Sequence, residues 1–192
     1  MLLWLAKGAS KGCPHGSSIG VGSCWRWIKV IRYAAVVDNS VVDGTGIRIT
    51  VFLQGCVRGC EGCHNPDLQP LEGGEVVSEE ALAQLVLNKL SPLHRGVTFS
   101  GGEPLLQAQA LEKVISILKR EKPDIDVWMY TGFTFEEIQE IPVLRMIDVV
   151  VDGPFVLAQR DLSLAFRGSR NQRIIDVPAS LAKSEVVELK LD

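Results

Sequence analysis

The chain has 192 residues, a net charge of −3 and 46% hydrophobic residues, which suits one domain around a single core and excludes a broad basic surface for nucleic acid. No apolar run approaches the ~20 residues of a membrane span, and the opening MLLWLA is too short, and lacks the preceding basic region, for a secretory signal. Five cysteines, three of them clustered, make a poor disulfide framework at this length, so a cytoplasmic setting with thiols kept for metal is expected.

Residues 1–26 intersperse Gly8, Gly12, Gly16, Gly20 and Gly22 with serines and hold no apolar period. They read as a disordered N-terminal extension, with residues 27–192 as the domain. Cys13, His15 and Cys24 fall in that extension and are assigned no role, because two thiols cannot by themselves hold a second cubane cluster.

From Ile28 onward, strand-like and helix-like runs alternate. IRITVFL (47–53) is a β-branched and aromatic run that ends at the cysteine loop QGCVRGCEGCHNP (54–66). A helix follows, capped by Ser78, with Glu79 and Glu80 in its first turn and Leu82, Leu85, Val86 and Leu90 on one face. GVTFS (96–100) predicts a short buried strand. Pro104 then suits the start of a helix whose stripe is Leu111, Val114, Ile115 and Leu118. DVWMY (126–130) is the next strand, Thr134 with Glu137 makes a capping box, and IDVVVDG (147–153) returns to the sheet. This alternation predicts an α/β fold with a mostly parallel sheet. A closed eight-unit barrel takes about 250 residues, so the shorter domain here is expected to be an open partial (βα) barrel.

Four motifs follow directly on predicted strands and so share one rim, the carboxyl ends where parallel α/β folds gather their chemistry. Cys56, Cys60 and Cys63 form C-x3-C-x2-C, three ligands where a closed metal site takes four. Either a zinc ion is completed by His64 or a distant residue, or a cubane cluster is held with one iron open. His64 is a poor fourth ligand because it adjoins Cys63. In SGGEP (100–104), Gly101 and Gly102 either form a tight turn or let the backbone approach a ligand, with Glu103 accepting from an ammonium group. The third motif is Thr131-Gly132. In the fourth, Asp152-Gly153, the aspartate is either a turn residue or an ionisable group facing the rim. RGSRNQR (167–173) is either a solvated basic segment or a docking surface for an acidic partner.

In combination, C-x3-C-x2-C after one strand and GGEP after the next resembles the radical S-adenosylmethionine enzymes. VDGTGIRITVFLQGCVRGCEGCHNP (42–66) is similar to the opening of the glycyl-radical-enzyme activases, with Thr45 where proline is usual. MYTGFTFEEI (129–138), VVDGPF (150–155), Arg160-Asp161 and RGSRNQRIID (167–176) resemble one branch of them, the anaerobic ribonucleoside-triphosphate reductase activating proteins.

The resemblance implies one [4Fe-4S] cluster held by Cys56, Cys60 and Cys63, with S-adenosyl-L-methionine chelating the open iron through its amino and carboxylate groups. It implies that Gly101, Gly102 and Glu103 hold the methionine amino group. Gly62 stands where the wider family often has an aromatic residue, which leaves adenine contact to backbone there or to His64. Thr131 and Asp152 complete the candidate cofactor contacts. The implied reaction is reductive cleavage to methionine and a 5′-deoxyadenosyl radical, which abstracts hydrogen from a glycine of the partner reductase. A low-potential donor such as flavodoxin or ferredoxin is implied as well. Activation of another glycyl-radical enzyme, such as pyruvate formate-lyase, is the alternative of the same class, and a non-catalytic zinc or iron–sulfur protein that of a different class.

Overall fold

A computed structural model of the chain describes residues 31–191. The expected extension, with Cys13, His15 and Cys24, lies outside the described residues. Seven strands form one sheet: β1 (Ile31–Ser40), β2 (Ile47–Leu53), β3 (Glu75–Val77), β4 (His94–Gly101), β5 (Asp126–Tyr130), β6 (Val149–Asp152) and β7 (Arg173–Asp176). Their order is β3-β1-β2-β4-β5-β6-β7, so β3 and β7 are the edges and the sheet is open among the described residues. The four strands β2, β4, β5 and β6 pair in parallel. The flanking pairs β1–β2, β1–β3 and β6–β7 are antiparallel. The sheet is therefore mixed at its edges and parallel at its centre.

The connections explain that division. A parallel neighbour needs a crossover, usually a helix, and α2 (Ala108–Glu121) and α3 (Phe135–Ile138) lie between β4 and β5 and between β5 and β6. The link from β6 to β7 holds no α-helix, and β7 returns antiparallel. Before β4, α1 (Glu79–Lys89) starts where Ser78 Oγ accepts from Ala81 N–H at 3.1 Å. The last helix is α4 (Val177–Lys183).

One face of the sheet is apolar and packs on the helices. Ile49, Val51 and Leu53 of β2, Val97 and Phe99 of β4, and Val127 and Met129 of β5 are buried there. Leu111, Val114, Ile115 and Leu118 of α2 meet them, one stripe at the helical period. Pro104 begins a 3-10 turn (Pro104–Gln107) before α2 rather than α2 itself. The Glu103 carboxylate takes the Leu105 N–H, and Leu106 N–H closes the tighter turn onto Glu103 O at 3.1 Å.

The opposite face carries a buried arginine. Arg48 Nε donates to Thr98 Oγ1 at 2.7 Å, Nη1 to Thr45 O at 3.1 Å and to Asp126 Oδ2 at 2.9 Å, and Nη2 to Val97 O at 3.0 Å and to Asp126 O at 2.9 Å. Its guanidinium also lies 5.2 Å from the centre of the Trp128 ring. Burial holds the Arg48 pKa below its usual range, and Asp126 opposes that shift. Gly96 makes the room, since a Cβ there would lie 2.8 Å from Arg48 Nη2 and 1.9 Å from Asp126 O. Arg48→Met is expected to cost about 3 kcal/mol, because it strips partners from buried acceptors while Asp126 keeps some contact with water. Urea unfolding at pH 7 measures it, and a loss below ~1 kcal/mol would show that the arginine is dispensable to the fold.

Candidate functional site

The carboxyl ends of β2, β4 and β5 open into a cavity of about 600 Å³, within the range of small-molecule sites. Cys56, Cys60, Cys63, His64, Gly101, Gly102, Glu103 and Thr131 all line it. The rim expected from the sequence is thus one continuous surface for these eight residues. Gly62 and Asp152 lie outside the lining.

The cysteine loop is fixed at its base. Gly55 N–H donates to Leu68 O at 2.8 Å, Cys56 N–H to Gln69 O at 2.9 Å, and Gln54 Nε2 to Pro70 O at 2.8 Å. Gly102 N–H to Leu53 O (2.8 Å) and Glu103 N–H to Gly55 O (2.7 Å) then fasten the glycine pair to the loop. Beside the tight turn or ligand approach expected of the glycines, the geometry gives a further reason for them. A Cβ on Gly101, whose φ is +112°, would lie 2.5 Å from Leu53 N and O, and one on Gly102 would lie 2.2 Å from Gly55 O. The space the two glycines leave is filled by the chain itself.

All three thiols are free and half-buried. Arg58 N–H lies 3.4 Å from Cys56 Sγ and Asn65 N–H 3.4 Å from Cys63 Sγ, backbone donors of the kind that tune sulfur ligands. Burial pushes the Cys56 thiol up, and the Arg58 N–H pulls the other way. Among the described residues, no three His, Cys, Asp or Glu side chains converge closely enough to hold one metal ion. His64 tilts against Phe155, with ring centres 4.7 Å apart. Gly62, at φ +68°, turns the loop where a Cβ would lie 3.0 Å from Leu157 Cδ1.

Glu103 is 1% exposed. Its Oε1 accepts from Thr131 Oγ1 at 2.8 Å and Leu105 N–H at 3.1 Å, and its Oε2 from Gly132 N–H at 2.8 Å. A carboxylate offers about four acceptor sites, so capacity remains on Oε2. Burial pushes the Glu103 pKa up to about 7, against the pull of the Gly132 N–H, Thr131, the Leu105 N–H and Arg58. Thr131, expected as a cofactor contact, has its hydroxyl committed to orienting this carboxylate.

Asp152 is also 1% exposed but has other partners. Its Oδ2 accepts from Phe135 N–H at 2.7 Å and from Arg173 Nη2, while Oδ1 accepts from Arg173 Nε at 3.1 Å and Arg173 N–H at 3.3 Å. The expectation that Asp152 faces the rim is corrected: its carboxylate is filled by protein donors.

The basic segment 167–173 braces the cavity wall. Ser169 Oγ accepts from Val156 N–H at 3.2 Å, Asn171 Nδ2 donates to Pro154 O at 2.8 Å, and Gln172 Nε2 to Gly153 O at 3.2 Å. Arg170 pairs with Asp161 at 2.9 Å, and Arg173 with Glu136 and Asp152. Phe155, Phe166, Arg167 and Gln172 also line the cavity, as do Asp43 and Tyr130. Of these, Tyr130 was legible as the last residue of a predicted strand. Asp43 reaches the site through a loop whose fold no local pattern announces.

Residues 42–175 match the family described as a 4Fe-4S single cluster domain. The anaerobic ribonucleoside-triphosphate reductase-activating protein of Haemophilus influenzae is 36% identical over 151 residues, covering 75% of this chain and 97% of that protein. Its namesake from Vibrio cholerae is 38% identical over 150 residues, with 75% and 97% covered. The one from Enterobacteria phage T4 is 30% identical over 146 residues, with 75% and 93% covered. Among solved structures, QueE from Escherichia coli superposes with a TM-score of 0.46 at 19% identity, covering 62% of this chain and 59% of that one.

Proposed function

The chain belongs to the anaerobic ribonucleoside-triphosphate reductase-activating proteins and carries a 4Fe-4S single cluster domain, and from that premise we propose that it activates the anaerobic reductase by placing a radical on one of the reductase's glycines. In this reading Cys56, Cys60 and Cys63 hold one [4Fe-4S] cluster with an iron left open, and S-adenosylmethionine binds beside it. When bound, such a cluster supplies the single low-potential electron that breaks a sulfonium C–S bond, releasing methionine and the 5′-deoxyadenosyl radical that takes hydrogen from the glycine.

The observation that carries this reading is the position of Glu103. A buried carboxylate with spare acceptor capacity lines the same cavity as the three thiols. Such a group suits the N–H donors of an amino group, because an ionised acceptor strengthens the hydrogen bond and the low-dielectric surroundings strengthen it further. Thr131 Oγ1 and the Gly132 N–H hold the carboxylate so that the amino group is oriented as it enters. His64 and Phe155 give an aromatic flank on which an adenine can stack. No general base is assigned, since hydrogen-atom transfer needs none.

The open sheet fits a partial barrel into which a partner's loop can reach, and the electron source in this reading is a flavodoxin or ferredoxin of the cytoplasm. No helix among the described residues is long and apolar enough to cross a membrane. Mixing the reduced, cluster-loaded protein with S-adenosylmethionine and the anaerobic reductase is expected to give a glycyl signal by electron paramagnetic resonance. A signal on pyruvate formate-lyase and none on the reductase would reassign the partner.

A further inference from the structure

The segment Thr131–Phe135 joins β5 to α3 and is fastened along its length. At its start, Thr131 Oγ1 and Gly132 N–H both donate to Glu103. At its end, Phe135 N–H donates to Asp152 at 2.7 Å. Between them, Phe133 O accepts from Gly153 N–H at 2.8 Å, and Phe133 N–H donates to Thr131 Oγ1 at 3.2 Å. The link is short and has little slack. Thr131 N–H is also tied to Val151 O at 3.0 Å, so β6 and the Asp152 anchor together set where Thr131 and Gly132 stand.

Asp152 is held in turn by Arg173 of the neighbouring strand β7. The Arg173 guanidinium spans two carboxylates, Asp152 and the Glu136 of α3, with Nη1 and Nη2 at 3.0 and 2.8 Å from Glu136. It thus ties the end of β6 to the first turn of α3. A nearly fully buried carboxylate is costly unless it is paired and hydrogen-bonded, and Asp152 is both without lining the cavity. What it fixes is the loop that holds Glu103.

Resting on the S-adenosylmethionine reading above, we propose that Asp152 and Arg173 are positioning residues for Glu103, acting through the segment 131–135. Groups that bond a ligand-holding side chain directly typically change affinity 10- to 100-fold when removed, and Asp152 and Arg173, acting on Glu103 through Thr131 and Gly132, are expected at the low end of that range. Asp152→Asn puts an amide N–H against the Arg173 donors, and Arg173→Gln removes the clamp from the other side. Both variants leave the thiols and Glu103 intact.

Four readouts on cluster-loaded protein test this: equilibrium dialysis with labelled S-adenosylmethionine, KM and kcat for its cleavage, hydrogen exchange across 131–135 without it, and Tm. Each variant is expected to raise Kd and KM about tenfold, leave kcat within about twofold, and speed exchange in the segment. Iron content stays at the wild-type level. The double variant is expected to bind no more weakly than either single one, because both residues act through one link. A fall in Tm with unchanged Kd would make the pair merely structural and overturn the proposal. So would a Kd raised by Asp152→Asn alone, which marks direct contact. Should Asp152→Asn fail to fold, Arg173→Gln decides by the same readouts. Wild-type protein that binds no S-adenosylmethionine overturns the functional reading itself, whereas wild-type binding with unaffected variants overturns the positioning alone.

Discussion

Cys56→Ser, Cys60→Ser and Cys63→Ser are each expected to lose the cluster-bound iron and, with it, all detectable reductase activation. Three thiolates are the minimum that holds three corners of a cubane, and a serine hydroxyl at neutral pH is a far weaker ligand for iron. The loop has no slack to offer a substitute. Its base is fastened to Leu68 and Gln69 by backbone hydrogen bonds, and His64 is packed on Phe155. The double change Cys13→Ser, Cys24→Ser is expected to keep full iron, since the sequence gives those two no role. Iron and acid-labile sulfide per chain, measured after anaerobic reconstitution, provide the check. Full iron in any one of the three single variants would remove that cysteine from the ligand set. One zinc and no iron in the wild-type protein would sink the cluster altogether.

The parts of the site that sequence reading reached are those whose reason is local. IRITVFL ends at the cysteine loop and is β2 residue for residue, DVWMY is β5, and the Thr134–Glu137 capping box opens α3. β-branched alternation and end-capping are properties of a few neighbouring residues, and so they can be read without the rest of the chain. Arg173 was out of reach for the opposite reason. In RGSRNQR it reads as one of three exposed cations, yet it starts an edge strand and reaches Asp152, 21 residues away. Asp152 itself was placed correctly at a strand end. Its direction was misjudged because the partner that turns it from the cavity is non-local. Gly101 and Gly102 show the same limit, since their missing Cβ atoms serve a neighbouring strand end and loop that only the folded sheet brings near.

Glu103→Gln is expected to weaken S-adenosylmethionine binding by about 10- to 100-fold, the worth of one hydrogen bond from the amino group to an ionised carboxylate in a buried site. Glutamine preserves the volume, so the fold should persist. It has only one oxygen to accept from Thr131 Oγ1, Leu105 N–H and Gly132 N–H, and its amide N–H₂ must face one of those donors. The wild-type pH dependence tests the same carboxylate without a mutation. With the Glu103 pKa pushed up to about 7 by burial, the free protein keeps its proton to a higher pH than the unfolded chain does. That contribution to stability is fully present below the usual carboxylate range and is lost as pH rises through about 7. Binding runs the other way, because the ionised carboxylate is the acceptor for the methionine amino group. Affinity should therefore rise about tenfold from pH 6 to pH 8, as the ionised fraction climbs through its midpoint. In Glu103→Gln, dialysis across the same range should find weak binding without that rise. An equal rise in the variant would assign the titration to another group and remove Glu103 from the amino-group site.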